Sequence, residues 1–305
     1  MAVGSTISAN DPFASLRNKM NTILNGTGVA GGYNQGHSVA ANPSTGSLID
    51  DAYFDSLYSA AAKISNYYNI TNPFGAVNAG TTVAWSHYAS GASAFETSIN
   101  TRFVAPWSYS SGWDTTAASK TTQTVANWNG TRDTVTRVTF TSVAVMDAWF
   151  AAGGEIRVSM SHSDTSQNQQ GTSWEQLCAE VGTYRISLRP TDSTNIDTST
   201  RKKYSDLTTS NAYIKREYAN DGDYSSNYAD ISAYKSGTSI YVTTRLVDAH
   251  VARTGSGSGY GGAWSWTGAD TVPGTSTVTI SALQMSNATG SVSIANPTFT
   301  VTNTL

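Results

Sequence analysis

One cysteine in 305 residues, seven prolines, few charges and no long apolar run are the first features of this sequence. A lone thiol makes no internal disulfide, so packing and hydrogen bonds must hold the fold, and Cys178 in "SWEQLCAEVG" shares an apolar helical stripe with Trp174, Leu177 and Val181. No stretch reaches the length a bilayer-spanning helix needs. Charged residues make up 13% of the chain and the net charge is −3, with Lys and Arg scattered. That leaves no electrostatic footprint for nucleic acid or an anionic membrane, and neither is expected as a partner. The one basic cluster, Lys202 and Lys203 in "TRKKYS", reads as a solvated loop. The opening "MAVGSTISANDPF" lacks the basic and apolar segments of a secretory leader, so synthesis in a cytosol is the expectation.

Ser and Thr, by contrast, outnumber the charged residues by roughly two to one, a bias that suits extended β surfaces and polar turns. Tyr (16) and Trp (8) are plentiful, which fits packing interfaces and carbohydrate-stacking surfaces equally well. The length exceeds one ordinary domain, so two or more modules are expected.

The first third reads as helical. In "ANDPFASLRNKMNTILNG", Asp11 caps, Pro12 fits the first turn, Gly26 follows the last, and Phe13, Leu16, Met20, Ile23 and Leu24 form a stripe. A Gly/Asn/Ser-rich loop, "GTGVAGGYNQGHSVAANPSTG", needs a neighbour to hold it. A second helix spaces Phe54, Leu57, Tyr58, Ala61, Ile64 and Tyr68 and closes before Pro73. A third spaces Tyr88, Ala92, Phe95, Ile99 and Phe103 and ends near Pro106. Residues 1–105 are thus a mainly helical module for docking and oligomerisation. Three short amphipathic helices make a small core, so the Phe13/Leu16/Met20 and Phe54/Leu57/Tyr58 stripes are expected to be covered by another chain.

From about residue 120 the texture changes. "TVTRVTFTS", with Val135, Val138 and Phe140, alternates as a half-buried strand, followed by "GEIRVSMSHS", "TYRISLRP", "AYIKREY", "YADISAYK", "SIYVTTRLVD", "STVTISALQ" and "NPTFTVTN". Helices near 142–152 and 173–181 interrupt the strands, and each hands over through glycine, at Gly153-Gly154 and at Gly182. In "WFAAGGEIRVSM" the period changes from helix to strand at the glycines, which favours a left-handed helix stop over a phosphate cradle. The fold class is therefore α+β, mainly β: a helical N-terminal module, then a β-sandwich or jelly-roll-like module (120–305) with short helical insertions. "RTGSGSGYGGAWSWTG" is the most flexible-looking loop, with Tyr260, Trp264 and Trp266 able either to fold over a neighbour or to contact something outside.

Chemistry is harder to find. The histidines His37, His87, His162 and His250 lie in no metal-ligand spacing. Ser161, His162 and Asp164 sit together in "SHSDTSQ" without a nucleophile elbow, and adjacency at a strand end does not make a triad. Asp221 and Asp223, with Asn220 and Asn227, offer oxygen ligands for calcium, but no bidentate Glu closes the loop and an Asp-Gly hairpin turn explains the same letters. The sequons at Asn25, Asn69, Asn129 and Asn287 match what chance gives. No catalytic, cofactor or metal residue is assigned.

The opening 28 residues, "WFAAGGEIRVSMSHS", "DLTTSNAYIKREYANDGDYSSNYADISA" and the closing "NATGSVSIANPTFTVTNTL" together resemble a family of virion structural proteins of tailed bacteriophages, notably T-even-like myophages of aquatic bacteria. The resemblance spans nearly the whole chain and carries no catalytic signature. It implies a non-enzymatic component of tail, baseplate, collar or fibre, assembled in the host bacterial cytoplasm, with copies of itself and other virion proteins as partners. A receptor-binding adhesin contacting host surface glycan through Tyr260, Trp264 and Trp266 is the competing expectation.

Overall fold

The computed structural model describes residues 14–26, 32, 35, 51–68, 70–72, 74, 91–99, 113–166, 168–187, 201–250, 254–260, 262–267, 271–285 and 294–305. Three helices occupy the first third: α1 (Ala14–Asn25), α2 (Asp51–Tyr68) and α3 (91–99). Their stripes cover one another. Ser15 Oγ donates to Glu96 Oε1 (2.8 Å), tying α1 to α3, and Arg17 Nη1 donates to the Tyr53 hydroxyl (3.3 Å), tying it to α2. Phe95 meets Phe74 edge to face. Beyond α1, Gln35 N–H donates to the Leu24 carbonyl (2.6 Å), and most of the Gly/Asn/Ser-rich segment lies outside the described residues.

This corrects one expectation. Leu16, Met20, Phe54 and Leu57 are at most 4% exposed within the chain itself, and Tyr58 is half-buried, so no second chain is needed to cover them. Amphipathic helices of this length supply each other's apolar surface. The expected roles of Asp11, Pro12, Phe13, Pro73, Tyr88, Phe103 and Pro106, and the sequons at Asn69 and Asn287, lie outside the described residues.

The remainder is mainly β, as expected. Strands β1 (Trp113–Trp128), β11 (Val272–Met285), β3 (Glu155–Ser163), β4 (Thr183–Ser187) and β5 (Arg201–Lys203) form one five-stranded sheet in that order. The second sheet runs β12 (Thr298–Asn303), β2 (Thr131–Thr139), β8 (Ser239–Val247), β7 (Tyr228–Ser236) and β6 (Ala212–Tyr218). Every pairing is antiparallel except β4 with β5. The chain passes repeatedly from one sheet to the other, and the buried residues of both, such as Val158 and Ile280 in the first and Ile231 and Val242 in the second, belong to one core.

Four expectations change in detail. β1 was not anticipated, because its Thr, Ser and Ala show little contrast between faces. "RKK" is an edge strand rather than a solvated loop, and residues 254–267 form a separate hairpin, β9 (Thr254–Gly259) with β10 (Gly262–Thr267), rather than a loop. The inward face of β2 carries Thr134, Thr136 and Val138, all 0% exposed, whereas Val135 is on the opposite face. A period of two leaves the choice of face to the neighbours, and the threonine face was the one buried.

The helices between strands behave as read. α4 (Val143–Ala151) starts on Ser142, whose Oγ accepts from Val145 N–H. It stops at Gly153, where φ is +89°; Gly153 N–H donates to Phe150 O (3.0 Å) and Gly154 N–H to Trp149 O (2.8 Å). That pair of bonds is the Schellman arrangement. Gly154 serves differently from Gly153: a Cβ there would lie 2.3 Å from the Trp149 ring. α5 (Gln169–Val181) begins earlier than expected because Asn168 caps it, accepting from Gly171 N–H (2.8 Å), and it ends at Gly182 with φ +60°. Touching β3 and β11 on one side and β6 and β7 on the other, α5 bridges the two sheets, with Trp174 edge-on to Trp128.

Candidate functional site

The outward face of the second sheet carries the densest array of functional side chains. Register aligns Arg216, Asp230, Arg245 and Asp133 in one row across β6, β7, β8 and β2. Arg216 grips Asp230 with two bonds (2.5 and 2.7 Å) and Arg245 grips Asp133 likewise (2.7 and 2.8 Å). Opposite charges directly across an antiparallel pair stabilise it, and forked Arg–carboxylate geometry fixes the side chains. These bonds hold the Arg216 and Arg245 pKa values above the ordinary arginine range, so both stay charged. The row sums to zero net charge.

Around this row stand tyrosines. The Arg216 guanidinium lies 4.7 Å from the Tyr213 ring centre and 4.6 Å from that of Tyr228, and Tyr218 faces Tyr228. Among the described residues, Tyr213 and Tyr218 are two of the few large apolar side chains left exposed, at 62% and 49%. A bulge between Tyr213 and Lys215 makes this possible. Tyr213 and Arg216 are three positions apart, so without the bulge strict alternation would place Tyr213 on the face opposite Arg216 and Tyr218.

Next to the ionic row, register places the short side chains Ser232 and Thr243; beyond them Tyr234 stacks on Tyr241 at 4.6 Å. A row of small residues between two rows of tall ones leaves a depression. It measures about 140 Å³ and is lined by Asn211, Tyr213, Asp230, Ser232, Thr243 and Arg245. On the other side of Tyr213 lies a larger cavity of about 420 Å³, lined by Arg201, Lys202, Lys203, Asp206, Tyr184 and Ile214 as well as Tyr213 itself. Tyr213 is therefore the wall between a neutral, hydroxyl-floored depression and a cationic one.

Glu155 anchors the cationic side. Fully buried, it meets Arg157 Nε at 2.6 Å, Arg185 Nε at 3.6 Å and Arg201 Nη2 at 3.8 Å. Burial raises its pKa, opposed by the bond and charge of Arg157 and by Arg201. Lys202 and Lys203 form no ion pair among the described residues.

The residues singled out in the sequence do not converge in this way. His162 is buried and its Nδ1 meets Ser276 Oγ (2.9 Å), not Ser161, which is exposed on the other face of β3. Ser276 also accepts from Trp128 Nε1 (3.0 Å), so this is a polar knot inside the core. Burial lowers the His162 pKa, opposed by Glu175, the Pro273 carbonyl and Asp164. Asp164 binds Ser166, and Gly171 packs on its carboxylate. Asn220 donates to Glu180, Asp221 accepts from Gln169, and buried Asn227 Oδ1 takes the N–H groups of Ala249 and His250. The Asp-Gly pair lies in a 3-10 turn, Gly222–Tyr224, within a longer connection between β6 and β7. As expected, the Asp-Gly pair joins two antiparallel strands, and Gly222 needs no left-handed conformation there. Among the described residues no group of His, Cys, Asp or Glu is arranged to hold a metal. Cys178 is buried, with its pKa pushed up to about 12. Tyr260 is fully exposed at the turn of the β9–β10 hairpin, while the side chains of Trp264 and Trp266, and His37 and His87, lie outside the described residues.

Sequence reading missed Tyr213, Arg216, Tyr218, Asp230 and Arg245. Their one signal was the mixture of tyrosine and charge in "AYIKREY" and "YADISAYK", which marks strands but not which strands adjoin. No helix among the described residues is long and apolar enough to cross a membrane. No family model, curated protein or solved structure matches the chain.

Proposed function

We propose that the chain is a non-enzymatic structural component of a tailed-bacteriophage virion, in tail, baseplate, collar or fibre, assembling with copies of itself and with other virion proteins. The virion comes from the sequence resemblance. Assembly rests on one observation, the free edge of the first sheet. β1 runs 16 residues and, among the described residues, pairs with β11 on one side only. A long edge strand offers a row of unpaired N–H and C=O groups to another chain unless proline, charge or a cover blunts it. Residues 113–128 hold no proline and only Asp114 and Lys120 as charges. Docking through residues 1–105 was expected from uncovered helical stripes, and with those stripes buried within the chain it has no support of its own.

Two measurements test it. The protein is expected in purified particles of the phage that encodes it, and its absence from them overturns the virion assignment. Neighbouring residues of a strand point their N–H groups to opposite edges, so of Thr122→Pro and Gln123→Pro one removes only an outward donor. That variant is expected to keep its thermal midpoint and lose oligomer mass by light scattering. Oligomers of unchanged mass in both variants refute the edge as the junction.

A second reading, a receptor-binding adhesin, is favoured by the exposed Tyr213 and Tyr218 beside a polar depression. Binding of the purified protein to host cells, compared with non-host cells, decides it.

A further inference from the structure

We propose that the paired cavities flanking Tyr213 form a binding site for an acidic saccharide, a sugar ring bearing carboxylate, sulfate or phosphate. The inference rests on the adhesin reading and gives it a location other than Tyr260, Trp264 and Trp266. Three observations carry it. Tyr213 is 62% exposed, and its ring is propped by the Arg216 guanidinium at 4.7 Å, which Asp230 in turn fixes. A large exposed ring held by its neighbours, with little rotamer freedom left to lose, is an economical contact platform.

The depression on one side is floored by Ser232 and Thr243 and edged by Asn211, hydroxyl and amide groups that exchange hydrogen bonds with sugar hydroxyls. At about 140 Å³ it is smaller than the roughly 300–1,000 Å³ of sites that engulf a ligand, so it takes a single ring of a longer chain. Its charges are already matched, Arg216 by Asp230 and Arg245 by Asp133, so it selects for hydroxyls rather than for charge.

The cavity on the other side is cationic. Arg201 is engaged with Glu155, whereas among the described residues Lys202 and Lys203 form no ion pair and Asp206 is the one acid lining it. An anionic substituent one ring away from Tyr213 meets these ammonium groups. Single-stranded nucleic acid also combines aromatic and basic contacts, but it is read by successive stacking platforms along a basic groove. Here one ring and two lysines adjoin a hydroxyl floor, in a chain of net charge −3.

The test uses the full chain and calorimetric titration with oligogalacturonate and a sulfated glycosaminoglycan hexasaccharide, against maltohexaose and an oligothymidylate. Binding of at least one acidic saccharide is expected, more tightly than maltohexaose or oligothymidylate and weakening as salt screens the lysines. Tyr213→Ala is expected to weaken it about tenfold or more, as truncating an anchoring tyrosine does, and Tyr213→Phe to preserve it. Lys202→Gln with Lys203→Gln is expected to erase the preference over maltohexaose. Circular dichroism checks that each variant is folded. No binding of either acidic saccharide, equal binding of maltohexaose, tighter binding of oligothymidylate, or undiminished binding by folded Tyr213→Ala each overturns the site. Host-cell binding separates the two claims. Cells bound equally by wild type and Tyr213→Ala leave the adhesin reading standing and this site refuted, whereas saccharide bound through Tyr213 without any cell binding does the reverse.

Discussion

Replacing Gly154 by alanine should cost more than replacing Gly153, although only Gly153 has a left-handed backbone. Gly153 sits at φ +89°, where an L side chain costs about 1–2 kcal/mol. Gly154 faces a different obstacle: its added Cβ would lie 2.3 Å from two atoms of the Trp149 ring. That indole is 0% exposed, packed by Phe140 at 5.5 Å and Phe150 at 4.9 Å, and its Nε1 donates to Asn296 Oδ1 at 3.2 Å. It has nowhere to retreat. Overpacking of a tight core costs about 1–3 kcal/mol and loss of the Asn296 bond about 1 kcal/mol more. Gly154→Ala should therefore cost roughly 2–4 kcal/mol. Gly130→Ala is the control for strain alone, with φ +73° and open space around its Cβ. Urea denaturation followed by circular dichroism gives the order, and a double-mutant cycle with Trp149→Leu gives the mechanism. Once the ring is gone, the Gly154→Ala penalty should shrink below about 1 kcal/mol. An equal penalty in both backgrounds refutes the ring contact. Neutral effects at both Gly153 and Gly154 refute the helix-stop reading altogether.

Thr136 and Thr244 are 0% exposed and their hydroxyls have no hydrogen-bond partner, so Thr136→Val and Thr244→Val should each stabilise by about 1 kcal/mol in the same assay. Thr134→Val should destabilise instead, because it removes the bond that Thr134 Oγ1 donates to Asn303 O (2.9 Å). Cys178, with its thiol pushed up to about 12 by burial, should resist alkylation at pH 8 in the native protein and react fully in guanidinium; rapid native labelling contradicts the packing of α5. Burial depresses the His162 pKa, so the unfolded chain, with a histidine near 6.5, binds its proton first as pH falls. The stability this contributes is complete above that value and is lost as pH drops toward the folded pKa. The fall in thermal midpoint between pH 7.5 and 5.5 should be smaller in His162→Gln than in wild type, and an unchanged slope rules His162 out as its source.

Local signals in the sequence determined a good deal here. The 3.6-residue spacing of Leu16, Met20 and Ile23, and of Phe54, Leu57 and Ile64, marked helices that fold as read. The switch of period at Gly153, and Gly182 after α5, marked where helix gives way to strand, because a left-handed stop is a property of a few consecutive residues. Low charge and abundant threonine announced a mainly β chain. What stayed hidden depends on residues far apart in the chain. Whether Val135 or Thr136 faced the core was decided by β8 and β12 on either side of β2, since a two-residue period has no intrinsic inside. The Arg216–Asp230 and Arg245–Asp133 row exists only because register aligns four strands, and one extra residue in β6 moved Tyr213 to the face of Arg216. Apolar stripes that promised an intermolecular surface were covered by neighbouring helices of the same chain, for burial belongs to the assembled fold and not to any segment. Tyr213 looked like any strand tyrosine until tertiary structure set Ser232 and Thr243 on one side of it and Lys202 and Lys203 on the other.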